Sequence, residues 1–144
     1  MFLKFLLGNG TLRPELRAEL ESEGLVLLEE GLSARLKYTH FKMPGRRFHG
    51  KITPERVGLG ISEARVVVFC KSGRAKLINS RWDNPRLDAI EISSEDEDKL
   101  VFKVDYDRMG EPKISGVITV TVKTPNAMLI ESELKQRIGH PYPA

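Results

Sequence analysis

Between residues 25 and 123 the apolar side chains recur at every second position or in short unbroken runs, and no helical period interrupts them. Strands repeat every two residues and helices every 3.6, so the spacing tells the two apart. A stretch this long without a helix rules out βαβ units, because parallel strands need a crossover between them. What remains is antiparallel sheet. The clearest strand covers residues 65–70, where three valines precede Phe69; it ends at Lys71-Ser72-Gly73-Arg74, a tight-turn signal, and residues 75–79 return beside it. In a second hairpin, Leu100, Phe102, Val104 and Tyr106 point inward against Lys103 and Asp105. Across the loop Met109-Gly110-Glu111-Pro112, Ile118, Val120 and Val122 face in while Thr119 and Thr121 face out.

The remaining strands are shorter signals. Residues 25–28 lead through Gly31 into residues 34–42, where Leu36 and Tyr38 alternate with Arg35 and Lys37, giving one packed and one cationic face. Residues 48–52 are expected to form a further strand, with Pro54 confining it to an edge or a loop. After the turn Asp83-Asn84-Pro85, residues 89–93 read as another.

Helical spacing appears only at the two ends. Near the start, Thr11 suits a cap, Pro14 a first turn and Gly24 a stop around the stripe Leu12, Leu16 and Leu20. At the other end, Thr124 and Pro125 precede Ala127, Ile130, Leu134 and Ile138, Gly139 stops the run, and Lys135 and Arg137 complement the helix dipole. The expected fold is mainly β (α+β): a partly open antiparallel barrel of about seven strands, capped by a C-terminal helix and preceded by a short helical extension. Residues 1–24 form the apolar tip and short helix, 25–139 the barrel and its helix, and 140–144 a tail.

That order of elements resembles the pleckstrin-homology-like (PH-like) superfold, in particular bacterial PH-like domains of unknown function. Two stretches carry the resemblance: Gly58-Leu-Gly-Ile-Ser-Glu-Ala-Arg-Val-Val-Val-Phe followed by Leu77-Ile-Asn-Ser-Arg-Trp-Asp, and Ile118-Thr-Val-Thr-Val-Lys-Thr-Pro running into the last helix. It covers residues 25–139 and implies a non-enzymatic adaptor. Phosphoinositide-binding members have a Lys, a spacer and a Lys/Arg-x-Arg triplet in the first hairpin. Here Lys42-Met-Pro-Gly-Arg46-Arg47-Phe-His-Gly-Lys51 lacks the triplet, which argues against that lipid.

Charge narrows the choice of partner. Of 144 residues 30% are charged, and the net charge of +3 divides into −3 for residues 1–30, +9 for 31–90 and −3 for 91–144. A concentrated positive region steers anionic partners more than the overall charge does. At its centre Arg35, Lys37, Lys42, Arg46, Arg47 and Lys51 occur with no acid between Gly31 and Pro54, interleaved with His40, Phe41, Phe48 and His49. This hairpin is the expected site for an anionic group or an acidic partner, since guanidinium groups grip oxygen pairs and Gly45 permits close backbone approach. The ordinary alternative is a solvated hairpin whose lysines protect a strand edge. Single-stranded nucleic acid competes for the same residues, without an RNP-like signature to favour it.

Other features point to packing rather than chemistry. His40, His49 and His140 lack metal-ligand spacing, and Cys70 closes an apolar strand as a buried thiol would, so no catalytic residue, metal or cofactor is expected. Asp105 and Asp107 are expected to share the outer face of a strand, and residues 94–98 to form a charged turn. Trp82 is a candidate partner anchor, with core packing as the alternative. Phe2 and Phe5, in the apolar tip before Gly8-Asn9-Gly10, are expected to cover the domain itself or a second copy; shallow membrane contact is the other option. The tip is too short to span a bilayer, and with a single cysteine the chain is expected in the cytoplasm. A small enzyme or ligand carrier with a pocket between barrel and helix is the competing reading.

Overall fold

The computed structural model describes residues 13–70, 75–110 and 112–138. Its elements are α1 (Pro14–Ser22), β1 (Leu25–Met43), β2 (Arg46–Phe48), β3 (Ile52–Ser62), β4 (Arg65–Cys70), β5 (Ala75–Arg81), a 3-10 turn (Pro85–Ala89), β6 (Ile90–Asp96), β7 (Lys99–Asp105), α2 (Tyr106–Met109), β8 (Ser115–Lys123) and α3 (Ala127–Arg137). The mainly β, antiparallel architecture with a short helix before the strands and another after them agrees with the sequence reading. The chain gathers into two compact units, whose boundaries fall inside β1, between Ser33 and Ala34, inside β3, between Pro54 and Glu55, and between Asn84 and Pro85.

In the first unit the strand order is β5-β4-β3-β1. Val66, Val67, Val68 and Phe69 of β4 are all buried, which is why this strand reads as an unbroken apolar run rather than an alternation. Leu16 and Leu20 of α1 pack on Val67 and Phe69, with Leu25 and Leu28 beside them. The helix approaches closely because Gly60 has no side chain: a Cβ there would lie 2.9 Å from Leu20 Cδ1. Burying a leucine as fully as Leu20 contributes roughly 1.5–3 kcal/mol.

A polar cluster fastens the end of α1. Gly24 takes a left-handed φ of 83°, as expected of a helix stop, and its carbonyl accepts from Glu63 N–H at 2.9 Å. Glu23 Oε1 accepts from Ser62 Oγ and from Arg65 Nε, both at 3.0 Å. Arg65 Nη1 donates to Asn79 Oδ1 at 3.0 Å; its Nη2 lies 3.3 Å from Glu19 Oε1, outside hydrogen-bond alignment. One arginine thereby links α1, β4 and β5. Arg13, not the expected Thr11, holds the N-cap position of α1 ahead of Pro14 and makes no side-chain cap; Thr11 and Leu12, the first leucine of the expected stripe, lie outside the described residues.

In the second unit the order is β1-β8-β7-β6, with β2 folded back on β1. Ile118, Val120 and Val122 of β8 and Leu100, Phe102 and Val104 of β7 are buried, as their alternation requires. Tyr106 departs from that alternation because it begins α2 rather than ending the strand. Ala127, Ile130 and Leu134 form the buried stripe of α3, while Ile138 lies just past its end. Thr124 is not the helix cap. Asn126 holds that position, and the Thr124 hydroxyl accepts from Asn126 N–H at 3.2 Å in the turn ahead of it. Glu131 joins α3 to β6 by accepting from Ser94 Oγ at 2.5 Å, and it pairs with Lys135 at 2.6 Å.

The strand expected over residues 48–52 does not exist as one piece. Phe48 closes β2 and Ile52 opens β3, because Gly50 turns the chain with a φ of 74° and donates to Tyr38 O at 2.8 Å. Pro54 then sits near the start of β3, where the missing N–H is tolerated.

Candidate functional site

The six cations expected to act together are all exposed and all in the second unit, yet its strands divide them between two places. The division begins at His40. Before it, Ala34, Leu36 and Tyr38 face the interior of β1 and Arg35, Lys37 and Thr39 face out. Strict alternation would then send Phe41 into water and Lys42 into the core. Instead the pairing with β8 shifts between Thr39, opposite Val117, and Lys42, opposite Ser115, so β1 carries one extra residue. His40 absorbs it with a φ of 48°. Phe41 returns to the core, and Lys42 stays outside.

Phe41 anchors the base of the hairpin in an aromatic cluster. Its ring centroid is 5.3 Å from Tyr38, 5.8 Å from Tyr106 and 6.3 Å from Phe48, which itself lies 5.2 Å from Tyr38. Lys51 follows the turn and places its Nζ 4.3 Å from the Phe48 ring centroid, a cation–π contact. His40 and His49 stack with centroids 4.2 Å apart, and His49 Nδ1 accepts from His40 N–H at 3.2 Å.

The first of the two places is the hairpin tip. Lys42 pairs with Arg47 and Met43 with Arg46, and these four residues line a concavity of about 500 Å³ with Gly45, whose φ of 77° makes the turn. The second is the outer face of the sheet. Arg35, Lys37 and Thr39 of β1, Thr119 and Thr121 of β8 and Lys103 of β7 line another concavity of about 500 Å³, together with Ile52, Glu95 and Val117. Lys103, Thr119 and Thr121 complete this face, although the sequence reading did not include them in a site. Their outward direction was legible, but the register that brings them beside Arg35 and Lys37 was not.

None of Arg35, Lys37, Lys42, Arg46, Arg47, Lys51 or Lys103 has an ion-pair partner among the described residues. By contrast Arg17, Arg65, Arg81, Lys99, Lys135 and Arg137 each have a carboxylate within 3.7 Å. Arg13, Arg108, Lys113 and Lys123 also have no ion pair among the described residues, so what distinguishes the hairpin and the adjoining face is the clustering of their unpaired cations.

Other candidates fall elsewhere. Trp82 is a core residue, 2% exposed, with its indole N–H donating to Ser62 O at 2.9 Å, so its burial corrects the reading of a surface anchor. Phe2 and Phe5 lie outside the described residues, as does His140. Cys70 is buried. Asp105 and Asp107 do not share a strand face: Asp105 caps α2 by accepting from Asp107 N–H at 3.0 Å, and Asp107 accepts from Gly116 N–H at 3.2 Å. Gly110, with a φ of 73°, makes that short helix possible by closing it. Among the described residues no three His, Cys, Asp or Glu side chains gather as a metal site, and no helix is long and apolar enough to cross a membrane. No protein-family profile matches the chain, and no curated protein matches it significantly.

Proposed function

We propose that the chain is a non-enzymatic, PH-like binding module that recognises an acidic protein partner or another anionic group through the cations of its second unit, in a reducing, cytoplasmic setting. The observation that carries this reading is the set of exposed cations on the hairpin and the adjoining sheet face, none of them neutralised by a carboxylate among the described residues. Uncompensated positive charge on a rigid scaffold attracts anions and orients them before contact. The aromatic cluster beneath the hairpin supplies the rigidity.

The test uses a labelled hexaglutamate peptide and fluorescence anisotropy. Reversing charge with R46E/R47E should weaken binding by about tenfold or more at low salt, with the melting temperature nearly unchanged because both side chains are solvent-exposed. Binding of the peptide with wild-type affinity by R46E/R47E would remove the hairpin from the site.

A further inference from the structure

Within that reading, we propose that the outer sheet face holds a subsite for a phosphate monoester, centred on Thr119 between Lys37 and Lys103. Thr119 lies directly opposite Lys37 on β1 and directly opposite Lys103 on β7. Residues opposite one another in an antiparallel ladder share a face. Neighbouring strands are about 4.8 Å apart, which puts the two lysine backbones roughly 10 Å apart with a hydroxyl midway between them. A tetrahedral group resting over Thr119 is within reach of both four-carbon stems. Arg35 and Thr121 face each other in the next outward row and supply a guanidinium fork and a second hydroxyl.

The charge of the concavity selects the ligand class. Arg35, Lys37 and Lys103 contribute three positive charges and Glu95 one negative charge, leaving +2. A phosphate monoester carries roughly −1.5 to −2 near pH 7 and presents three acceptor oxygens, whereas a carboxylate offers one charge and two oxygens. Glu95 repels bare anions but accepts a hydrogen bond from a hydroxyl or ammonium group on the body of the ligand. Two further acids are close: Glu91 lies opposite Lys103 on β6, and Asp105 lies two residues along β7 opposite Val117, but no ion pair joins either to Lys103. Lys103 is therefore available to the ligand. Lys103, Thr119 and Thr121 occupy elements other than the hairpin tip, so this subsite and the tip can be removed independently.

The experiment is an amide NMR titration of the whole chain with inorganic phosphate, O-phospho-L-serine and a five-residue peptide carrying one phosphoserine, against sodium chloride at equal ionic strength. Saturable shifts centred on Arg35, Lys37, Lys103, Thr119 and Thr121 are expected with O-phospho-L-serine or the phosphopeptide. Response to the free amino acid alone identifies a small molecule as the source of the phosphate, and response to the peptide identifies a phosphorylated chain. K37Q/K103Q should raise the dissociation constant by about tenfold or more. T119V, which keeps the volume of the side chain and the charge of the face, should weaken the same titration several-fold. Absence of saturable shifts at this face, or wild-type affinity in either variant, overturns the proposal. Hexaglutamate binding without any response to phosphate would overturn the subsite while leaving the broader reading in place; a saturable phosphate response without hexaglutamate binding supports the subsite and removes the acidic protein partner from the broader reading.

Discussion

Gly116 is pressed against the backbone of His40: a Cβ on Gly116 would fall 2.3 Å from the His40 carbonyl oxygen and 2.7 Å from Phe41 Cα. Gly116 also has a φ of 93°, which side-chain-bearing residues rarely adopt. The extra residue of β1 therefore depends on an absent side chain in β8. Gly116→Ala is expected to destabilise the protein by about 2 kcal/mol or more, because both strands must move. Urea unfolding measures the loss. A stability equal to wild type would mean that the strands part without cost and that the bulge does not set the direction of Phe41 and Lys42.

The second contact of this kind is between Gly60 and Leu20, but here the obstacle is the far end of a flexible side chain. Gly60→Ala should be nearly neutral, whereas Gly60→Val should overpack the interface and cost roughly 1–3 kcal/mol. Limited proteolysis within residues 13–23 reports whether α1 has been displaced. Equal protection of G60V and wild type would show that the helix does not rest on β3 at this point.

Arg65 is 13% exposed at its side chain and Glu23 24%, so their pair is only partly screened by water. Removing the acid alone leaves a largely buried cation with Asn79 and a misaligned Glu19. Glu23→Ala is expected to cost about 2–3 kcal/mol, somewhat below the value for a fully buried pair because Glu19 remains close. Arg65→Met, which removes the charge and keeps much of the bulk, should cost less. Chemical denaturation of the two variants compares them, and the opposite ranking would show that Arg65 acts through packing rather than through Glu23.

Glu131 supplies the clearest pH dependence. Its hydrogen bonds with Lys135 and then Ser94 hold its carboxyl below the ordinary value of 4.5, against a smaller opposing effect of burial. A folded pKa below the unfolded one contributes stability that is present above the unfolded value and is lost as pH falls through 4.5 toward the folded value. The stability gap between wild type and Glu131→Gln should therefore shrink as pH is lowered through that window. Urea midpoints near neutral pH and in mild acid test it; a gap that is constant or that widens in acid would contradict the assignment.

Much of this architecture was legible from local pattern. The three valines of β4 are buried and the alternation of β8 runs true from Ile118 to Val122, since burial of one or both faces dictates it directly; in β7 it holds from Phe102 to Val104 and is broken by Val101, which is buried between Leu100 and Phe102. The stripe of α3 was readable for the same reason. What local pattern missed depends on residues far apart in sequence. His40 can take a left-handed conformation because Gly116, on another strand, has no side chain. Asp107 reaches Gly116 only because Gly110 turns the chain through α2. The cationic face likewise needs the pairing of Lys37 and Lys103 on either side of Thr119, a fact of register rather than of composition.

The most direct test of anionic recognition by the second unit is an amide NMR map of the chain titrated with hexaglutamate at low salt. The account predicts the largest saturable shifts at Arg35, Lys37, Lys42, Arg46 and Arg47, all weakened by added salt as exposed charge contacts are. Shifts centred instead on α1 or α3, or no saturable shift anywhere, would contradict it.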